Sequence, residues 1–488
     1  MKILSKYFPV FGFFLVTILL IGTTIFYSPS WGLMDAVLLT DASHIWASNN
    51  VIESIYYSVN HSVYYMPVAV IWCLSIYHIF RDLPILCYIL IILQNMFGIL
   101  IWGLVLHKVF AGKKKDLLLD TFLFPLVLFL FTPFWNIFNY INLQEKFIFL
   151  FSAISFYFAK KYLNEEKVKY LLVSLLFTIL TVLSKPQGVY IVFVYIAYSC
   201  LLVLMRGRSR LIIPILLTHI CLLVSYILIT FGYKSTGYTF RYNLSLAGIT
   251  NNFMNAPLVI KLLFITSVFM VFYIIYNVKK RHRYSFEAIF IPLGFICYIV
   301  VLLPWGIIPY HISATAPYAM GIFFPAYSYF NEKSRLARVA VNCLILSLVF
   351  VTFFYIIKPR ISRVADVNKA AIFLKDFSRT RAGHYFFPPP FVETAYSMSV
   401  FSGLPIKYLN KGILSDEMLG DNAGNFVIFD NQDPSIELAG VDIEKEIYRN
   451  DNWLIYRVKK SENIKKKFSV TFKENLVERL KTYLRTRE

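Results

Sequence analysis

Charged residues are scarce in this chain. Asp, Glu, Lys and Arg make up 16% of the sequence, whereas about a quarter is typical of soluble globular domains. Hydrophobic residues account for 58% and the mean hydropathy is +0.61. This composition excludes an ordinary soluble domain and indicates a polytopic membrane protein.

Cysteine is also sparse, and its placement excludes two kinds of cross-link. No Cys-x-x-Cys motif and no Cys/His pair at ligand spacing occur, so we expect no structural zinc site. The last 130 or so residues contain no cysteine, so disulfides cannot hold that segment together. All six cysteines lie in apolar stretches, where they suit packing: Cys73, Cys87, Cys200, Cys221, Cys297 and Cys343.

A cleavage signal is absent from the first apolar run. No A-x-A-like site precedes Ser28, so we expect residues 1–27 to form an uncleaved signal anchor. The sequence also shows no internal repeat and no low-complexity tract.

Long apolar runs are what the chain has in abundance. A membrane-spanning helix needs about 20 mainly apolar residues. The apolar run over residues 63–80 contains Pro67 and ends at the Arg81–Asp82 pair, so we interpret it as an interfacial helix. Eleven segments fit a span: 7–27, 84–107, 117–134, 142–159, 169–184, 188–205, 211–231, 257–278, 285–303, 313–330 and 339–357.

Lysine and arginine predict the orientation of these segments. Most of those that precede the C-terminal segment fall in alternate short loops, and basic residues are retained on the cytoplasmic side of a membrane. The pattern places the N-terminus in the cytoplasm and, with an odd number of spans, everything after Tyr355 outside. The net charge of +20 therefore reflects topology mainly, and we expect no nucleic-acid partner.

Two regions outside the predicted spans are long. We expect a transmembrane domain over residues 1–357 that includes an extracytoplasmic loop at 28–83, followed by a small extracytoplasmic α/β domain at 358–488. Within that domain VNKAAIFLKDF is helix-like, while NFVIFDN and NWLIYRVKK are strand-like. The last twenty residues are predicted to form a basic amphipathic helix, lying either on anionic lipid or on its own domain.

Three acidic residues and a histidine lie in the predicted first external loop. Asp35, Asp41, His44 and Glu53 all follow the first span. A carboxylate at a membrane surface suits proton abstraction from a sugar hydroxyl. Asp41 is our first candidate for that base and Asp35 the second; alternatively, Asp41 caps the helix DASHIWAS.

Several motifs together resemble the GT-C superfamily of polytopic glycosyltransferases, which use polyprenyl-phosphate-linked sugars. The chain departs from that pattern where Asp41 is followed by Ala42 instead of a second acidic residue, and where His61 lacks two following prolines. These departures leave the base and any divalent-metal requirement open, and we name no metal ligands. The resemblance rests on the acidic residue after the first span, HSVYYMP at 61–67, IFRDLP at 79–84, NLQEKFIFLFSAISFYFAKKYL at 142–163, SKPQGVYIVFVY at 184–195 and the external C-terminal domain.

The resemblance implies a polyprenyl-phosphate-sugar donor and a lipid-linked polysaccharide acceptor, besides membrane lipids. The chain looks most like the phage- or prophage-borne O-antigen glucosyltransferases of enterobacteria. That match implies undecaprenyl-phosphate-glucose as donor and the periplasmic face of the bacterial inner membrane as the site of transfer.

Such a donor needs cations at the external face to meet its phosphate. Lys185, Arg241 and His311 are the candidates, with a snorkelling lysine the alternative for Lys185 and helix anchoring by the Tyr310–His311 pair the alternative for His311. Glu145, Tyr310 and His44 are the expected substrate-binding residues. For Glu145, a helix cap or an ion pair with Lys146 is the alternative.

Two other classes stay open. A polysaccharide polymerase or ligase of another membrane fold usually carries its large external loop late, between two spans, which differs from the arrangement here. A transporter or lipid flippase is expected to show paired halves, broken helices at the bilayer midplane and buried charges. The sequence shows no convincing halves, its charges collect at the loops, and the first external loop would be left unexplained.

Overall fold

The structure, a computed structural model, describes most of the helical part of the chain and a set of strands near its C-terminus. The described residues are 2–27, 66–80, 83–110, 126–139, 144–206, 210–232, 245–279, 286–304, 306–307, 311–323, 335–380, 383–387, 406–408, 413–419, 424–430, 435–439, 441–449, 453–460 and 467–471. The chain divides into two compact units, and Arg360 begins the C-terminal stretch of the second.

Helices dominate the described residues. Three short 3-10 turns lie next to the helices that matter below: Pro186–Val189, Phe286–Ile289 and Ser313–Thr315. The α-helices are α1 (Lys2–Tyr27), α2 (Pro67–Phe80), α3 (Pro84–Phe110), α4 (Asn136–Asn139), α5 (Glu145–Glu165), α6 (Val168–Ser184), α7 (Tyr190–Arg206), α8 (Ile212–Gly232), α9 (Leu246–Met254), α10 (Leu258–Lys279), α11 (Phe290–Leu302), α12 (Ala316–Gly321), α13 (Arg335–Thr352) and α14 (Lys358–Thr380).

Four described helices are long and apolar enough to cross a membrane, judged by length and composition. They cover Ile85–Phe110, Pro186–Met205, Ile212–Ile229 and Leu258–Tyr276. Four shorter apolar helices coincide with further predicted spans: Val10–Phe26, Val168–Ser184, Phe290–Leu302 and Cys343–Tyr355. The chain is thus compatible with a membrane protein, and the full set of eleven spans stays a prediction.

Several predicted spans differ from a single continuous α-helix where the structure describes them, and two differ most. In the segment 117–134, a helical turn ends near Leu128 and a 3-10 turn begins at Thr132. Pro133 lies in the first turn of that 3-10 segment, and a proline cannot donate the hydrogen bond that a continuing α-helix requires. In the segment 313–330, a 3-10 turn precedes α12, which ends at Gly321.

Hydroxyl groups join three helices of the first unit. The Ser155 hydroxyl of α5 lies 2.8 Å from the Tyr195 hydroxyl of α7 and 2.9 Å from that of Thr178 on α6. Because an unpaired buried hydroxyl is costly, this cluster fixes how the three helices pack. It holds α5 and α6 side by side, antiparallel, with only Glu166 and Lys167 between them.

The second unit is a small α/β arrangement, as predicted. Strands β1 (Gly383–Phe387), β2 (Ile406–Tyr408), β4 (Gly424–Asp430), β6 (Val441–Arg449) and β7 (Trp453–Lys460) form a sheet in the order β2-β1-β4-β7-β6. The pairs β1/β2 and β1/β4 are parallel, while β4/β7 and β6/β7 are antiparallel. Strands β3 (Ile413–Ser415), β5 (Ser435–Ala439) and β8 (Lys467–Thr471) form a second sheet.

Alternation along β1 builds two cores on the five-stranded sheet. Tyr385 and Phe387 pack with Leu374 of α14, whereas Phe386 packs with Leu414 on the opposite face. Successive strand side chains point to opposite faces, so the apolar run HYFFP serves both.

The predicted C-terminal helix is wrong at its start. Residues 467–471 form β8, which pairs antiparallel with β5 through Val470 and Ile436. Phe468, Val470 and the intervening polar residues alternate with a period of two, which is the strand pattern. The rest of that prediction, 472–488, lies outside the described residues.

Candidate functional site

Three of the residues singled out in the sequence meet at one end of the helical unit. Glu145 is the first residue of α5, Lys185 directly follows α6, and His311 precedes the 3-10 turn Ser313–Thr315. Since α5 and α6 are antiparallel neighbours, the start of one lies beside the end of the other. His311 is tied to the same end because the Tyr298 hydroxyl of α11 donates to its carbonyl oxygen at 2.8 Å.

The three side chains form a closed triangle. The Lys185 ammonium donates a very short hydrogen bond to Glu145 Oε1. His311 Nδ1 lies 3.1 Å from Lys185 Nζ and 3.1 Å from the same Glu145 oxygen. All three residues are buried or nearly so, with no exposed surface on Glu145.

Burial gives these charges their importance. Removing a carboxylate and an ammonium from water is expensive, and only close pairing offsets that cost. Burial is also the main reason why the pKa of His311 is lowered, and the nearby Lys185 charge lowers it further against the opposing effect of Glu145. With His311 neutral, the triangle carries no net charge.

The turn that presents Lys185 is unusually tight. Residues Pro186–Val189 form a 3-10 turn, in which the Gly188 N–H donates to the Lys185 carbonyl oxygen at 2.8 Å. A Cβ atom on Gly188 would lie 2.1 Å from the carbonyl oxygen of Thr181. Only glycine allows this approach, so the motif Lys-Pro-Gln-Gly places the lysine at the end of α6.

Part of the site's hydrogen-bonding capacity is unused among the described residues. Glu145 Oε2 is buried and has no hydrogen-bond partner there. Both polar atoms of the Gln187 side chain, in the turn just described, are likewise buried without a partner in that part of the chain. Buried polar groups are nearly always paired, so each exception requires an explanation.

Glu145 does not take its neighbour as its ion-pair partner. Its carboxylate binds Lys185, whereas the Lys146 ammonium lies 4.1 Å from the centre of the Trp72 ring. The sequence left a pairing with Lys146 open, and the structure favours the partner forty positions away. Adjacent helical residues do not face each other.

The remaining predicted site residues lie outside the described residues. These are Asp35, Asp41 and His44 of the first loop, together with Arg241 and Tyr310, so their roles stay predictions. Within the described residues, no group of three His, Cys, Asp or Glu side chains is placed to hold a metal ion.

Sequence reasoning missed two members of this neighbourhood. Gln187 was passed over although it belongs to the Lys-Pro-Gln-Gly motif, and a glutamine inside an apolar turn was the available signal. Tyr298, whose hydroxyl fixes the His311 backbone, sits in an apolar run of α11 and had no distinguishing pattern.

Comparison with known proteins adds no assignment. No protein-family model matches the chain, and no curated protein matches its sequence.

Proposed function

We propose that this chain is a membrane glycosyltransferase, which moves a sugar from a polyprenyl-phosphate donor to a lipid-linked or surface polysaccharide such as O-antigen. Glucose is the sugar that we propose, by resemblance. The observation that carries the proposal is the meeting of Glu145, Lys185 and His311 at one end of the apolar helices. Ionisable groups buried in such a protein are costly and mark functional sites.

The position of the site suits a lipid-linked substrate. A polyprenyl chain lies among apolar helices, while its phosphate and sugar lie at the membrane surface. The triangle sits where helices end, at the turn after α6 and the start of α5. The polar head of the donor would therefore reach these side chains while its tail stays in the bilayer.

The proposed chemistry is an inverting displacement. Asp41, or Asp35 in its place, removes the proton from an acceptor hydroxyl, whose oxygen then bonds to the anomeric carbon. The bond from that carbon to the phosphate oxygen breaks, and the phosphate leaves with the electron pair. One or more of Lys185, Arg241 and His311 stabilise, by charge or by hydrogen bonding, the negative charge that develops on it.

The proposed setting follows from the loop charges. Lys and Arg favour a cytoplasmic N-terminus, which would place the site and the 358–488 domain on the periplasmic face of a bacterial inner membrane.

A transporter is the second candidate, because a buried ion pair beside a histidine is a common feature of proton-coupled transport. Transport sites, however, lie near the bilayer midplane between repeated halves. Glu145, Lys185 and His311 lie at helix ends, which favours surface chemistry. A polymerase or ligase of another membrane fold remains the alternative within the enzyme class.

Mass spectrometry of cell-surface polysaccharide tests the proposal. Cells lacking the gene would express wild type, Asp41→Asn or the control Asp376→Asn at matched membrane levels. Asp376 is an exposed residue whose surface ion pair with Arg379 spans 3.5 Å, so the control removes the same charge from an exposed position that has no proposed role in the chemistry. We expect the repeat unit to gain one hexose with wild type and with the control but not with Asp41→Asn.

Two results would count against parts of this scheme. Full transfer by Asp41→Asn would give the role of base to Asp35. No mass change with wild type in its native host would favour transport or another acceptor.

A further inference from the structure

Only one of the two Glu145 carboxylate oxygens is hydrogen-bonded to a described residue. Oε1 receives the Lys185 ammonium and lies 3.1 Å from His311 Nδ1. Oε2 is fully buried, and no described residue donates a hydrogen bond to it. A carboxylate that is anchored through one oxygen presents the other in a fixed direction, which is how a binding group is preorganised.

Gln187, two residues beyond Lys185, also has buried polar atoms without a hydrogen-bond partner among the described residues. The residue is 1% exposed, and neither its amide oxygen nor its amide nitrogen has a partner in the described part of the chain. An amide group offers two donors and an acceptor. Burying it unpaired destabilises the protein, so a ligand that pairs with it explains its presence.

The charges indicate what kind of ligand group Oε2 accepts. The Lys185 charge is already paired with Glu145, so a phosphate beside Oε2 would face the Glu145 carboxylate, and the two negative charges would repel. A hydroxyl group instead donates to a carboxylate in one of the stronger hydrogen bonds found in proteins. A neutral group rich in hydroxyls is chemically suited to Oε2 and to the Gln187 amide, since it can both donate and accept hydrogen bonds.

We infer that Glu145 Oε2 and the Gln187 amide bind hydroxyl groups of a sugar, and that Lys185 is a positioning residue which holds Glu145 instead of contacting phosphate. This inference rests on the proposed function and deepens it. Of the three predicted phosphate-binding residues, Arg241 and His311 then remain for the phosphate of the donor.

Ligand-induced thermal shifts of the purified full chain test the inference. The protein should be purified in a detergent without a sugar head group, for example an amine oxide. The probes are undecaprenyl-phosphate-glucose and undecaprenyl phosphate. The variant is Glu145→Gln combined with Lys185→Met, which removes both charges together and leaves neither one buried alone.

We expect the double variant to bind undecaprenyl-phosphate-glucose at least about tenfold more weakly than wild type, as the loss of a charged hydrogen bond predicts. Binding of undecaprenyl phosphate should be unchanged. Equal weakening for both lipids would show that Lys185 contacts the phosphate and would overturn the inference. No weakening, or a wild type that does not prefer the sugar-bearing lipid, would overturn it as well.

A second variant tests Gln187 by stability. Gln187→Met removes an unpaired buried amide and should raise the melting temperature of the ligand-free protein while the sugar-dependent shift is lost. The control is Asn95→Leu. The buried Asn95 side chain also has an oxygen without a partner among the described residues, but its amide nitrogen donates to the Ile137 carbonyl at 2.9 Å, so the melting temperature should fall. A fall with Gln187→Met would mean that the amide is structural and would reject its assignment.

Failure of the inference is distinguishable from failure of the proposed function. Sugar-dependent binding without sugar transfer in cells would reject the transferase and keep the hydroxyl-binding site. Transfer in cells with no role for Glu145 or Gln187 in sugar binding would do the reverse.

Discussion

Replacing Gly188 by alanine should damage the site through the backbone alone. The added Cβ would lie 2.1 Å from the Thr181 carbonyl oxygen, 2.7 Å from the carbonyl carbon and 3.2 Å from the Cα atom of Val182. All three are backbone atoms, so no side chain can rotate away to make room. The turn and α6 must therefore separate by about 1 Å.

The size of the effect follows from that displacement. Overpacking a well-packed region costs about 1–3 kcal/mol, and the upper part of that range applies because two backbones collide. The Gly188 N–H is bonded to the Lys185 carbonyl oxygen, so the shift carries Lys185 with it. Contacts of 3.1 Å to His311 have little tolerance, since hydrogen bonds weaken beyond about 3.2 Å.

The measurement compares thermal unfolding and sugar transfer of Gly188→Ala with those of Gly22→Ala. Gly22 is an exposed position inside α1, where nothing lies within 4 Å of an added Cβ, and alanine there should stabilise the helix by about 0.5–1 kcal/mol. We expect the two alanines to act in opposite directions, with transfer lost only in Gly188→Ala. A Gly188→Ala protein with wild-type melting temperature and activity would refute this account of the turn.

Three further predictions address the charges and the second unit. Lys185→Met should destabilise the protein by about 3–5 kcal/mol, because Glu145 is left as a buried unpaired charge. Adding Glu145→Gln should restore most of the melting temperature. If the double variant instead lost the summed stability of the two single variants, the pairing would be contradicted. Burial and Lys185 lower the pKa of His311, so the unfolded chain binds the proton more readily and stability should fall as the pH drops below about 6.5, a dependence that His311→Gln should reduce in melting curves between pH 5 and 8. Gly383→Ala should loosen the five-stranded sheet by about 1–3 kcal/mol, because its Cβ would lie 2.5 Å from the Phe426 ring, and faster amide exchange of β1 and β4 in the full chain would reveal it.

Local patterns predicted much of the secondary structure. The apolar runs at 211–231 and 257–278 are helices within one residue of those limits, since a long apolar stretch has few other ways to satisfy its backbone in lipid. The strands at NFVIFDN and NWLIYRVKK were also predicted correctly, because β-branched and aromatic residues dominate them. The start of the last twenty residues was wrong, since a helical period over four leucines and valines outweighed the short alternation at 467–471.

The residues of the site could be predicted from the sequence, but their meeting in space could not. Lys185, Glu145 and His311 each stood out as an ionisable residue at the edge of an apolar run, yet nothing in the sequence joins positions that lie 40 and 126 residues apart. Their meeting depends on contacts that sequence patterns do not show: hydroxyl pairs join α5, α6 and α7, the Tyr298 hydroxyl of α11 fixes the His311 backbone, and Gly188 packs against Thr181. Hydropathy averages over a window and cannot represent such pairs.

The consequence is a change in what Lys185 is taken to do. The sequence predicted that Lys185 binds a phosphate, because its ion pair with Glu145 cannot be recognised from the sequence. In the fold the Lys185 ammonium forms a direct ion pair with Glu145. A cation that is already paired in this way binds a second anion poorly unless the first anion leaves. A carboxylate held in place, with one oxygen still unpaired among the described residues, is instead well suited to a hydroxyl. The arrangement thus shifts the expected specificity of this site from the charge of the donor towards its sugar.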